Sequence, residues 1–175
     1  DSIVLSDMLR QTKDMYGVFY IRLSRKKAEQ IYMPDSTFEI GKANTLREGN
    51  DATIVASGIC VSDACRVADK LADEGIHVRV LDMFTIKPID KDAVIKASKE
   101  TGAIVTVENH NILNGLGSAV AEVLSEEAPC RMKRLGVPDR FGEVGTIPFL
   151  KEKYYMTEKD IEEAVKSLIS KRDVA

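Results

Sequence analysis

Apolar runs of strand length alternate with amphipathic stretches of helix length from residue 51 onward, and this alternation limits the possible folds more than any other feature. The apolar runs cover residues 52–57, 76–83 and 103–108, and a fourth strand is predicted at residues 130–135. The helical stretches begin near Ser62, Asp90, Gly117 and Thr157. Strands separated by helices need crossover connections, which favour a parallel sheet covered on both faces. We therefore predict an α/β fold, a three-layer Rossmann-like and mostly parallel sheet of about five strands.

Charge and cysteine content exclude several classes of function. The chain has 175 residues and a formal net charge of −3, so neither a nucleic-acid nor a membrane partner is expected. Cys60, Cys65 and Cys130 form no C-x-x-C pair and no cluster with histidine, so no metal site is predicted. Reduced thiols buried in a cytoplasmic protein are the expectation.

The first fifty residues have a different pattern. Residues 3–15 carry a helical apolar stripe, and residues 18–23 form an apolar run typical of a buried strand. Residues 24–50 are rich in turn-forming residues and predict a linker. A helix and a strand with nothing of their own to pack against suggest the tail of a preceding domain, followed by a main domain over residues 51–175.

A glycine pair follows the third apolar run. Gly115 and Gly117 occupy the first two positions of a dinucleotide fingerprint, but Val120 stands where the third glycine belongs. The loop before them, residues 109–114, is also longer than a phosphate-binding turn. The pattern favours a glycine-permitted turn at a helix start over a nucleotide site.

Glu108, Asn109 and His110 come directly after the same strand, at the sheet edge where open α/β proteins bind ligands. A carboxylate beside an imidazole is capable of acid–base chemistry. No nucleophile or metal partner lies nearby in the sequence, and hydrogen bonding at a domain or subunit contact explains the cluster as well. Both interpretations remain open at this stage, with the contact favoured.

Four cations and a hydroxyl lie at the end of the run at residues 18–23 and directly after it: Arg22, Ser24, Arg25, Lys26 and Lys27. Arginine offers paired donors to a phosphate, and serine adds one more. A solvated basic patch at the start of a linker has the same composition. The chemistry of these residues does not decide between the two.

Three segments together resemble the transketolase family. Residues 17–25 (GVFYIRLSR) are similar to the strand that ends the family's middle, pyrimidine-binding domain. Residues 81–90 (LDMFTIKPID) and 107–120 (VENHNILNGLGSAV) are similar to two segments of its C-terminal domain. The resemblance implies that residues 1–23 are the middle-domain tail, residues 24–50 a linker and residues 51–175 the transketolase C-terminal domain.

The resemblance also implies chemistry. Transketolases transfer a two-carbon ketol unit between sugar phosphates with thiamine diphosphate and a divalent metal such as Mg²⁺. It assigns Arg25 to the sugar phosphate, with Ser24 as its neighbour. The Gly-Asp-Gly motif and the activating glutamate of the complete family are not in this chain. The chain alone is therefore expected to bind no cofactor and to be inactive. It is expected to be structural and to stabilise a dimer, and its expected partner is a second copy in a homodimer or an N-terminal transketolase portion or subunit.

Three alternatives remain. Deoxyxylulose-phosphate synthase and the β subunit of 2-oxo-acid dehydrogenase E1 components share the same C-terminal fold, and fold alone does not decide function. The second alternative is a structural module that forms dimers. The third is a regulatory module that binds a ligand in the crevice around His110 and Gly115.

Overall fold

The computed structural model describes residues 1–26 and 28–170, and five strands of this part of the chain form one sheet. The strands are β1 (Asn44–Arg47), β2 (Ala52–Ala56), β3 (Val78–Asp82), β4 (Ala103–Asn111) and β5 (Arg131–Val137). They lie in the order β1-β3-β2-β4-β5. Only β1 runs antiparallel, against β3, and the other pairs are parallel. The mostly parallel sheet predicted from the sequence is confirmed.

Helices cover both faces of the sheet. They are α1 (Ser2–Thr12), α2 (Cys60–Asp73), α3 (Lys91–Thr101), α4 (Leu116–Glu127), α5 (Ile147–Lys153) and α6 (Glu158–Ile169). The apolar stripes of α2 and α6 cover one face, and those of α3 and α4 cover the other. On β2, Ile54 packs into the first cluster and its neighbour Val55 into the second. Alternate side chains of a fully buried strand thus serve both cores, which explains the uninterrupted apolar run.

The helix ends follow from local chemistry. Asp90 accepts a hydrogen bond from the Ala93 amide at the start of α3, and Gly102 closes that helix in the left-handed region. Thr157 and Asp160 form a capping box at the start of α6. The predicted α3 and α6 are therefore confirmed.

The amino-terminal helix packs on the segment around residues 31–38. One oxygen of Asp1 caps α1, and the other accepts hydrogen bonds from the amides of Ile31 and Tyr32. Val4 of α1 is buried with Tyr32 and Phe38, whose rings meet edge to face at 4.7 Å. The segment around residues 31–38 therefore joins α1 to the main domain.

The prediction of a buried strand at residues 18–23 is wrong in this structure. The segment has no regular secondary structure, and Val18 and Tyr20 are almost completely exposed. A strand needs a neighbour to pair its backbone groups, and the described part of the chain places none beside this segment. Residues 18–23 therefore have the composition of a strand but no neighbouring strand to pair with in the described part of the chain.

The prediction that residues 24–50 lack regular structure is wrong at one point, because β1 lies there and pairs with β3. Its residues alternate between half-buried and exposed, as expected for a short edge strand, so no apolar run marked it in the sequence. The short α5 was also not predicted. Lys27 and the last five residues of the predicted main domain, 171–175, lie outside the described residues.

Candidate functional site at the carboxyl edge of the sheet

The chain changes direction at the edge where β2 to β5 end. After β2 it enters α2 on one face of the sheet, and after β4 it enters α4 on the opposite face. Open α/β proteins bind ligands in the crevice that such a reversal creates. Gly58 and Asn109 meet across this crevice, since a Cβ on Gly58 would lie 2.9 Å from Asn109 Oδ1. The protein groups around Gly58 and Asn109 are therefore the candidates for binding a ligand.

Glu108 is the most deeply buried polar group at this edge. Its side chain is 2% exposed, and its two carboxylate oxygens accept hydrogen bonds of 2.7 Å from the amides of Leu116 and Gly117. These amides open α4, where the helix dipole favours a negative charge. The helix start that resembled a phosphate site is thus satisfied by a carboxylate of the chain itself.

The two glycines make room for this arrangement. A Cβ on Gly115 would overlap Glu108 Oε2, and a Cβ on Gly117 would lie 2.9 Å from Thr106 Oγ1. The glycine pair therefore lets the carboxylate approach the first turn of α4 and lets the helix approach β4. The partial dinucleotide fingerprint has a structural explanation that needs no nucleotide.

His110 lies above this carboxylate but does not form a close acid–base pair with it. Its Nδ1 is 2.9 Å from the Asn111 carbonyl oxygen and 3.9 Å from Glu108 Oε2. Because a carbonyl only accepts, Nδ1 carries the proton and donates. The imidazole is 43% exposed, which leaves it available for contact with another surface. The role of His110, and the role of Glu108 and Asn109 at an interface, stays a prediction.

A second group of polar side chains lines a cleft beside Gly58. Ser24, Glu29, Asp63, Arg66 and Lys151 all contribute to its walls. Asp63 is buried and pairs with both Arg66 and Lys151, and Arg66 also contacts Glu29. No sequence pattern indicated this network, because Glu29 and Lys151 lie far along the chain from α2.

The two predicted phosphate-binding residues lie on the segment that crosses this cleft. Ser24 lines the cleft, and its hydroxyl accepts a 3.3 Å hydrogen bond from the Lys26 amide. Arg25 is exposed, and no carboxylate among residues 1–26 and 28–170 pairs with it. Ser24 thus lies near the switch-point crevice, whereas the Arg25 side chain is not part of the cleft wall. Phosphate binding by either residue stays a prediction.

Asp82, at the end of β3, is a buried acid that the sequence analysis did not single out. Its carboxylate is 4% exposed and accepts a 2.7 Å hydrogen bond from the Tyr32 hydroxyl. Burial raises the pKa of Asp82 from 3.8 to about 6, and the Tyr32 hydrogen bond opposes this only in part. The hydrogen bond between Tyr32 and Asp82 joins the segment around Tyr32 to the sheet. The free-energy cost of burying the Asp82 carboxyl group depends on pH.

We expect Asp82→Asn to raise the free energy of unfolding at pH 8 by about 2–3 kcal/mol and to change it little at pH 4. The folded pKa lies above the unfolded one, so the stabilising contribution of Asp82 is present below about pH 4 and is lost as pH rises through about 6. Urea unfolding at both pH values measures this. A variant that destabilises equally at pH 4 and pH 8 would contradict the assignment.

The remaining reactive groups suggest no site of their own. Burial raises the pKa of the Cys60 thiol to about 12, and Cys65 and Cys130 shift in the same direction. Within the part of the chain that the structure describes, no group of acidic, histidine or cysteine side chains is arranged to hold a metal ion. The helices of this part are all too short or too polar to cross a membrane.

A mostly parallel sheet with helices on both faces and a crevice at its switch point defines a doubly wound α/β protein. The family model described as "Transketolase, C-terminal domain" matches residues 41–161. The chain therefore belongs to the transketolase family through this domain.

Individual relatives agree with the family match. The chain is 45% identical to the 6-deoxy-6-sulfo-D-fructose transketolase subunit SqwH of Clostridium sp. strain MSTE9, over 90% of this chain and 49% of that protein. It is 36% identical to the 1-deoxy-D-xylulose-5-phosphate synthase of Heliobacterium modesticaldum, over 96% of this chain and 26% of that protein. A solved structure described as "Split gene transketolase, inactive beta4 tetramer" superposes with a TM-score of 0.93 and 42% identity, over 97% of this chain and 56% of that chain.

The chain thus spans about half of two of these proteins and about a quarter of the synthase. The structural match includes the residues before position 41, which the family model leaves out. The resemblance to transketolases that the sequence analysis drew from three segments is confirmed, and so is the α/β fold it implied.

Proposed function

We propose that this chain is the C-terminal section of a transketolase that transfers a two-carbon ketol unit between sugar phosphates. The observation that carries the proposal is the match of almost the whole chain to a split-gene transketolase at 42% identity and to a protein described as a transketolase subunit at 45% identity. The sequence Ile21-Arg22-Leu23-Ser24-Arg25 adds the expected phosphate-binding arginine. The chain would supply substrate binding and a scaffold.

The cofactor expected for such an enzyme does not fit the residues of this chain. Magnesium with thiamine diphosphate needs clustered oxygen ligands, and the described residues offer no such cluster. Thiamine diphosphate would be bound by the portions of the enzyme that this chain does not contain, and it would supply the carbanion chemistry there. We derive no catalytic step from the side chains of this chain.

Two exposed apolar surfaces support a partner. The first is the segment at residues 16–23. It is the last part of residues 1–23, which we propose are the tail of the preceding pyrimidine-binding domain, and it would pair with that domain's strands. The second is the loop that carries Phe141 and Val144, which are 98% and 102% exposed. Large exposed apolar side chains of this kind mark contact surfaces.

The partner would be an N-terminal transketolase portion or subunit, and a second copy in a homodimer. The unpaired cysteines suit the cytoplasm.

Arg25 would bind the substrate phosphate, with the Ser24 hydroxyl beside it. A guanidinium gives two parallel donors to a phosphate, and the Arg25 side chain is exposed for such a contact. Sugar phosphates are the substrate class that this residue would select.

The test is an activity assay with and without the thiamine-binding section. The chain alone should give no turnover with xylulose and ribose phosphates, and the reconstituted enzyme should be active. In the active enzyme, Arg25→Ala should lower kcat/KM for phosphorylated acceptors about 100-fold, as expected for the loss of a charged hydrogen-bonding partner. Arg25→Lys should recover part of this loss, because lysine keeps the charge but not the paired donors.

Lys26→Ala is the matched control, since it removes a neighbouring exposed cation. It should leave kcat/KM within about twofold, as expected of a screened surface charge. Turnover by the chain alone would refute the division of labour. Equal losses in Arg25→Ala and Lys26→Ala would refute the assignment of Arg25.

Deoxyxylulose-phosphate synthesis is the second candidate, because the chain matches such a synthase over 96% of its length. The reconstituted enzyme distinguishes the two by its product. Formation of 1-deoxy-D-xylulose 5-phosphate without ketol transfer between sugar phosphates would favour the synthase.

A further inference from the structure

Arg66 of α2 contacts three carboxylates that belong to three parts of the chain. Its Nη1 lies 2.6 Å from Glu29, its Nη2 2.6 Å from Asp63 and its Nε 2.7 Å from Glu158 at the start of α6. A guanidinium is planar and rigid, so fixing two of its nitrogens fixes the direction of the third. Lysine, with one nitrogen, is unable to reproduce this arrangement.

Two of the three contacts anchor Arg66 to the folded domain. The Asp63 carboxylate is 4% exposed and also pairs with Lys151 of α5. Glu158 lies in the first turn of α6, which packs on the sheet beside α2. The third contact, with Glu29, reaches out to a segment without regular secondary structure. Arg66 lowers the pKa of Glu29 through this contact. The guanidinium is therefore a fixed point to which the segment attaches.

Glu29 lies four residues after Arg25, and four residues span at most about 14 Å. After Glu29, the segment is fixed by the amides of Ile31 and Tyr32, which donate to Asp1. Before Glu29, the described residues from 24 onward make only the local hydrogen bond between Lys26 and Ser24. Among the described residues, Glu29 is thus the first one after Ser24 and Arg25 whose side chain attaches to the folded domain.

We propose that Arg66 is a positioning residue for phosphate recognition, an inference that rests on the function proposed above. By holding Glu29, it sets the path of the segment that carries Ser24 and Arg25 across the cleft beside Gly58. Without this contact the segment would lose its attachment to α2 on the carboxyl side of Arg25, and the phosphate donors would lose part of their preorganised position. Arg66 itself does not contact the substrate.

The test uses the complete, reconstituted enzyme with ribose 5-phosphate and with ribose as acceptors. Glu29→Gln and Arg66→Met should each raise KM for ribose 5-phosphate about 10-fold, since a displaced donor group weakens binding. The values of kcat and the KM for unphosphorylated ribose should stay unchanged in both variants. Arg66→Lys should give an intermediate KM.

Lys70→Met is the matched control. Lys70 lies one turn further along α2 and pairs with Glu162 of α6 at 2.6 Å, as Arg66 pairs with Glu158, but it does not contact the segment. Its KM for both acceptors should equal that of the wild type. Glu29 is exposed, so Glu29→Gln decides the matter if Arg66→Met fails to fold.

A double-variant cycle links the effect to Arg25. Adding Arg66→Met to Arg25→Ala should raise KM by much less than the rise of about 10-fold expected in the wild-type background, because the charged phosphate donor that Arg66 positions is gone and only the Ser24 hydroxyl remains. If Arg25→Ala raises KM and neither Glu29→Gln nor Arg66→Met does, the inference is wrong and the proposed function stands. If KM rises equally for ribose, the effect is only structural and the inference is also wrong. If Arg25→Ala has no effect, the role proposed for Arg25 fails and the inference fails with it.

Discussion

Glu108→Ala is expected to lower the free energy of unfolding by about 4 kcal/mol, because two buried amides lose charged acceptors and a cavity is left behind. The carboxylate is 2% exposed, and both of its oxygens accept hydrogen bonds at the start of α4. Water has no ready access to replace them. Chemical denaturation of the wild type and the variant at pH 7 measures the loss.

Two further variants make this prediction specific. Glu122→Ala removes the same side chain from an exposed position of α4 and should change stability by less than about 0.5 kcal/mol. Glu108→Gln keeps the shape but turns one acceptor into a donor that faces an amide, so its loss should be intermediate. A loss in Glu108→Ala no larger than that in Glu122→Ala would show that the two hydrogen bonds do not stabilise α4.

The sequence predicted the central elements because their signals are local. β2 and the first five residues of β4 appear as apolar runs interrupted only by threonine, and the capping box of Thr157 and Asp160 appears within four residues. The edge strand β1 carries no such run, since one side of it faces solvent. Residues 18–23 carry the composition of a buried strand, but pairing depends on neighbours that composition does not supply. The errors therefore lie in segments whose structure depends on solvent exposure or on neighbouring strands.

The residues of the candidate site were likewise predictable only where the signal was local. The glycine pair and Glu108 were visible as a motif, but the direction of the Glu108 carboxylate, inward to the amides of α4, depends on the geometry of the turn. The contacts of Arg66 join residues 37 and 92 positions apart in the chain. No periodicity or spacing predicts pairs at such separations. Arg25 was found only through the resemblance to a family, since its chemistry alone fits a solvated basic patch equally well.

Gly49→Ala is the second large effect we expect. Gly49 is buried in the turn between β1 and β2, and a Cβ there would overlap the backbone carbonyl of His77 and the start of β3 at Val78. Those atoms belong to the sheet backbone, which is unable to rotate away as a flexible side chain would. The backbone of Gly49 does not need a left-handed conformation, so the cost is steric.

The expected loss is about 3 kcal/mol, which lowers the Tm by about 6–12 °C for a chain of this size. Gly142→Ala is the control, because nothing lies within 4 Å of its added Cβ and its backbone is not left-handed. It should change the Tm by less than about 2 °C. Thermal unfolding followed by circular dichroism compares the two variants. Equal Tm values for Gly49→Ala and Gly142→Ala would mean that the turn relaxes around the added methyl group, and that the close approach of Gly49 to β3 is not required for the position of β1.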